Sequence, residues 1–167
     1  VGDGTELAIA EMIRSGTTTF SDMYLFPNVC AAVAQRLGMR CQITFPILDF
    51  ATVWARDADE YISKGLALRD ATKHSELVTV GFGPHATYTV SEPNLVKVAT
   101  LAAELDAAVQ IHLQETRGEV LLAAGASWHA GISVALFSAL ARTGVNDVAE
   151  LLRAWAREGA REVTPLM

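Results

Sequence analysis

ELVTVGFGPHATYTVSEPNLVKVATLAAELDAAVQIHLQET, residues 76–116, is the stretch whose reading decides the fold. ELVTVGFGP, residues 76–84, is rich in β-branched and aromatic residues and stops at Gly-Pro, as a strand does. SEPNLVKVATLAAELD, residues 91–106, opens with a serine in N-cap position and a proline in the first turn, and its apolar positions recur at helical spacing. AAVQIHL, residues 107–113, follows directly as the next strand. Strand, helix and strand joined by short connections make a βαβ unit, the building block of a parallel sheet.

The same alternation runs upstream. TELAIAEMIRS, residues 5–15, lines up Ala8, Ile9, Met12 and Ile13 on one helical stripe, with Gly16 placed to end it. TTTFSDMY (17–24) reads as a strand, a helix follows from about Pro27 to Gly38, and MRCQITFPI (39–47) is a second strand. DADEYISKGLALRDAT (57–72) is a helix with acidic residues in its first turn. Four strands therefore alternate with helices, and two architectures fit: an open doubly wound sheet, or a (β/α)₈ barrel, which usually takes about 250 residues. No G-x-G-x-x-G follows a strand, so the dinucleotide-binding form of the open sheet lacks its fingerprint.

Beyond Thr116 the alternation stops and the chain turns rich in Ala, Arg and Leu, with an amphipathic helix expected over 146–157. A boundary is expected near residues 118–126, dividing an α/β part, 1–120, from a mostly helical segment, 121–167. The helical pattern begins almost at Val1, the expected look of a chain whose upstream part is missing.

At 167 residues and 51% hydrophobic the chain can bury a sizeable core. Lys and Arg total 13 against 19 Asp and Glu, a formal charge of −6. No basic run is present to follow a phosphate backbone, so nucleic acid is not an expected partner. No apolar stretch reaches the roughly 18 residues of a membrane span, and no secretory leader pattern is present. Cys30 and Cys41 lack zinc-finger spacing and read as reduced core residues, which points to the cytoplasm.

In parallel α/β proteins ligands sit at the carboxyl ends of the strands. Asp22 closes the first strand, Gly83-Pro84-His85 the third, and His112, with Glu115 just beyond, the fourth. Neutral imidazole at His112 could hold a divalent metal, and Glu115 could shuttle protons. The plainer alternative is that His112 makes a backbone hydrogen bond at a strand end and Glu115 starts the next helix. His85 could equally be a turn residue. His74 reads as exposed and His129, beside Trp128, as structural.

MIRSGTTTFSDMYLFP, ILDF, GPHATYTV and IHLQET, in this order and at these separations, resemble the amidohydrolase superfamily, in particular its branch of 5-methylthioadenosine/S-adenosylhomocysteine deaminases and triazine hydrolases. The resemblance runs from about Gly2 to Val120. It implies an α/β fold that is part of a (β/α)₈ barrel, the four strands being barrel strands two to five, followed by a divergent, mostly helical tail. It also implies a divalent metal, usually zinc, held in part by His112, with Glu115 carrying protons and His85 touching a small nucleoside substrate. The implied reaction is hydrolytic deamination of 5′-methylthioadenosine or S-adenosylhomocysteine. A triazine or guanine aminohydrolase is the alternative within the superfamily. The family's H-x-H metal ligands have no counterpart in this sequence, and neither its later histidine nor its later aspartate is found after Val120. The chain by itself is therefore expected to have little or no activity, and a non-catalytic remnant that self-associates through open sheet edges is the other expectation.

Overall fold

Residues 27–37 show how directly the local signals act: Pro27 opens a helix at its first turn, and Gly38, at φ 73°, ends it in the left-handed conformation that glycine adopts without strain. The computed structural model describes residues 1–113 and residue 115. These belong to the first of two units into which the chain divides, Val1–Gly125. The helix expected over 146–157 and His129 lie outside the described residues, as does the segment 121–167.

The order is α1 (Gly2–Arg14), β1 (Thr19–Asp22), α2 (Pro27–Leu37), β2 (Arg40–Ile47), α3 (Ala58–Thr72), β3 (Val78–Pro84) and α4 (Glu92–Glu104). The strands form a parallel sheet in the order β1-β2-β3, with Asp22 beside Ile43 and Thr44 beside Gly81. Strand order follows chain order with a helix in every crossover, as the βαβ reading expected. One face of β2 and β3 packs on the helices through Cys41, Ile43, Phe45, Val80 and Phe82, all buried. Phe45 and Phe82 meet at a ring-centroid distance of 4.9 Å, and Gly65 of α3 gives the Phe45 ring its room.

Two expectations are refined. Ser91 does stand in the N-cap position of α4, but its side chain makes no capping bond. Asp49, in the loop after β2, anchors the entry to the helix: its carboxylate accepts from Ser91 N and Asn94 Nδ2, both at 2.8 Å. The segment 107–113 does lie parallel beside β3, yet as two isolated bridges, Phe82 with Val109 and Ala86 with His112, and not as a continuous strand. Phe82 to Ala86 on one side faces Val109 to His112 on the other, one residue fewer, so the register slips between the bridges. Pro84 lies at the slip and has no N–H to give the ladder.

Candidate functional site at the carboxyl end of the sheet

The register slip at Pro84 brings His85 and His112 face to face. Their ring centroids are 5.1 Å apart, with the planes tilted by 57°. His85 is fastened from behind, its N–H donating to Ile47 O at 3.0 Å. Its carbonyl oxygen accepts twice from His112, from the backbone N–H at 3.1 Å and from ring Nδ1 at 2.8 Å. A carbonyl can only accept, so Nδ1 of His112 carries the proton. In the neutral ring the lone pair then sits on Nε2, the tautomer in which a histidine ligates metal while a backbone carbonyl holds its other nitrogen. The strand-end backbone bond and the metal-ligand reading, set out as alternatives from the sequence, are thus compatible: one nitrogen makes the former and leaves the other for the latter.

The loop after β3 surrounds this pair. His85 Nδ1 and Thr89 Oγ1 are hydrogen-bonded at 2.9 Å. Thr89 is held in turn by its hydroxyl on Ala86 O and by Asp49 N–H on its own carbonyl. Tyr88 O–H donates to Glu115 Oε2 at 2.9 Å, so the expected proton carrier lies beside the His85 loop. His85 and His112 are half-buried, whereas Tyr88 and Glu115 are exposed, as a solvent-facing mouth requires.

Asp22 behaves differently. Burial pushes its carboxyl up, and a hydrogen bond from the Cys30 thiol opposes that shift. The neighbouring Ser21 instead points to the opposite face, where it meets Gln110. Asp22 lines a separate cavity of about 350 Å³ between β1 and α1, with Thr5, Met12, Phe20 and Cys30 on its wall. His74 is exposed, away from the pair. Sequence reasoning missed Tyr88, Thr89 and Gln110. Thr89 could have been noticed as a hydroxyl four residues after His85, but nothing in the local pattern marks the reach of Tyr88 or Gln110.

Among the described residues no group of three or more His, Cys, Asp or Glu side chains is placed to hold a metal ion. They supply one imidazole in ligand form, and by themselves they do not fit a complete metal centre.

The chain belongs to the amidohydrolase family, whose pattern matches residues 2–154. It is 55% identical over 118 residues to a 5-methylthioadenosine/S-adenosylhomocysteine deaminase of Saccharophagus degradans, covering 71% of this chain and 26% of the relative. It is 54% identical over 120 residues to the enzyme of the same name from Teredinibacter turnerae, covering 72% and 27%. Among solved structures it is similar to an adenosine deaminase from Xanthomonas campestris with bound zinc, at TM-score 0.71 and 35% identity over 90% of this chain and 31% of that one. An atrazine chlorohydrolase from Arthrobacter aurescens complexed with zinc shares the fold, at TM-score 0.59 and 20% identity over 66% of this chain and 29% of that one. The chain thus spans about a quarter of the length of the curated relatives it matches. The family resemblance drawn from GPHATYTV and IHLQET is borne out, and so is its branch.

Proposed function

We propose that this chain carries the proton-transfer half of a hydrolytic aminohydrolase site for adenine nucleosides bearing a 5′ thioether, such as 5′-methylthioadenosine and S-adenosylhomocysteine. The observation that supports it most is the His112 ring held through Nδ1 on His85 O, three residues before Glu115. In this reading β1, β2, β3 and the 107–113 segment are strands two to five of a (β/α)₈ barrel. Residues 1–120 are the barrel part and 121–167 a divergent helical segment. Identity to the curated relatives extends over 118 and 120 residues, which suits that division, although the family pattern itself runs on to residue 154.

A divalent metal, zinc by the likeness to the zinc-bound deaminase, would supply the charge that activates water, and His112 Nε2 would be one of its ligands. The chain's own work is proton handling and orientation. Glu115 takes a proton from the hydrolytic water and passes it to the purine ring nitrogen. The carbon bearing the amino group gains the hydroxyl oxygen; Glu115 then carries that hydroxyl's proton to the amino group, the C–N bond breaks, and ammonia leaves as the ring carbonyl forms. The Tyr88 hydroxyl, donating to Oε2, orients the carboxylate. His85, anchored by Ile47 O and Thr89, contacts the substrate.

A second reading has a specific observation behind it. The four histidines of the sequence are at 74, 85, 112 and 129, and none forms an H-x-H. In this reading the 167-residue chain alone is inactive, and the sheet edge at β1, unpaired among the described residues, favours self-association. We place the protein in the cytoplasm, in keeping with its two free cysteines. No helix among the described residues is long and apolar enough to cross a membrane.

Metal analysis of the purified chain, combined with ammonia release from 5′-methylthioadenosine, guanine and a triazine, separates these readings. Stoichiometric zinc with release from the thioether nucleoside, reduced about 10²- to 10⁴-fold by Glu115→Gln, supports an active deaminase. Neither zinc nor release, with a dimer or larger species in sedimentation, supports the inactive chain. Release only from guanine or the triazine would overturn the substrate assignment.

A further inference from the structure

We infer that Gln110 is a positioning residue, its side-chain carboxamide reaching across the sheet to hydroxyls on β1 and β2 and so holding the strand that carries His112. Gln110 Oε1 accepts from Ser21 Oγ at 2.9 Å and lies 3.3 Å from Thr44 Oγ1. Thr44 is fully buried, and its hydroxyl also meets Asp22 O at 3.1 Å. These contacts join residues 89 and 66 positions apart in sequence.

Two features make the reach possible and useful. β3 lies between Gln110 and its partners, and on the face that Thr44 shares it presents glycine at 81 and 83, which place no side chain in the path. A Cβ at Gly81 would stand 2.5 Å from Ala108 O, so a larger residue there would also push the segment away. The segment 107–113, meanwhile, has few ladder bonds of its own. Phe82 N to Ala108 O, Gln110 N to Phe82 O and His112 N to His85 O hold it to β3, with the register slipping in between. The Ser21 bond, with the longer contact of a Thr44 hydroxyl whose one proton is shared with Asp22 O, therefore adds to its attachment, and it acts two residues from His112. Without these contacts the segment can hinge about β3, and the Nδ1 bond that sets the His112 tautomer loosens with it.

The bearing of this on chemistry rests on the role proposed above for His112, but its test needs neither substrate nor metal. Gln110→Met keeps the length and removes the acceptor, whereas Gln110→Glu keeps acceptor oxygens for both hydroxyls. Ser21→Ala removes a donor at an exposed position and leaves the core untouched. Amide hydrogen exchange at Gln110 and His112, read against Ile43 and Phe45 of β2, is followed together with the imidazole ¹⁵N spectrum of His112. The Met variant should lose about tenfold in protection at Gln110 and His112 and populate the second His112 tautomer, with β2 unchanged. Ser21→Ala should move the same signals in the same direction, and the Glu variant should restore them. Wild-type protection and tautomer in the Met variant, an equal loss at β2, or a Glu variant no better than Met would overturn the assignment. A lack of zinc and ammonia release would overturn only the functional reading.

Discussion

Asp49 is exposed, yet it ties the loop after β2 to the start of α4 and to the His85 loop. Its N–H donates to Thr89 O, and its carboxylate takes Ser91 N and Asn94 Nδ2. Hydrogen bonding from Ser91 holds that carboxyl below its usual range; burial opposes it, and the bond from Asn94 adds a smaller push downward. A depressed carboxylate stabilises the fold fully above its unfolded value of roughly 3.9, and that contribution disappears as pH falls through the folded value. Asp49→Asn, whose amide nitrogen cannot accept, should be less stable than wild type at pH 7 and should show a flatter loss of stability between about pH 5 and 2. Denaturant titrations across that range read both effects, and parallel acid limbs would mean that Asp49 does not report on this contact. The residue was legible only as part of the ILDF motif. That it anchors the entry to α4 depends on two segments 42 positions apart in the chain.

α3 shows the balance between propensity and packing at the level of an element. Its start is well signalled: Asp57 Oδ1 accepts from Glu60 N at 2.9 Å, and the Glu60 carboxylate reaches back to Arg56 N. Gly65 in its middle goes against helix propensity by about 1 kcal/mol relative to alanine. Replacing it by alanine would therefore stabilise an isolated helix. In the protein a Cβ there would lie 2.2 Å from the ring of Phe45, which is fully buried and packed against Phe82. Overpacking of this kind costs about 1–3 kcal/mol and outweighs the propensity gain. Gly65→Ala should lower the denaturant midpoint, and a raised midpoint would show that the Phe45 ring can move aside. The helix itself was legible from its acidic first turn and periodicity, but the need for glycine at 65 was not, because Phe45 belongs to another element.

Across the whole molecule, Cys30 and Cys41 report on global stability. Burial, reinforced by the Asp22 carboxyl nearby, pushes Cys30 up to about 12 and Cys41 up to about 11. Both thiols are unpaired and buried, so iodoacetamide at pH 8 should label them slowly in the native protein and quickly in urea. Fast labelling under native conditions would mean that the β1–α2–β2 region opens locally. Above roughly pH 8.5 the unfolded thiols ionise while the folded ones stay protonated, so stability should fall as pH rises. The order of the four helices and of the first three strands, the parallel sheet and the placing of His85 just past the end of β3 were determined by the sequence by itself. Each depends on local periodicity, on Pro and Gly at helix ends, and on where an apolar run meets a polar residue. Three things were decided only by the tertiary structure: the tautomer of His112, the turning of Asp22 toward Cys30 and away from the histidines, and the span of Gln110 over two glycines. Each requires a hydrogen-bond partner from another part of the chain, and one-dimensional spacing does not encode which of its faces a strand will share with its neighbours.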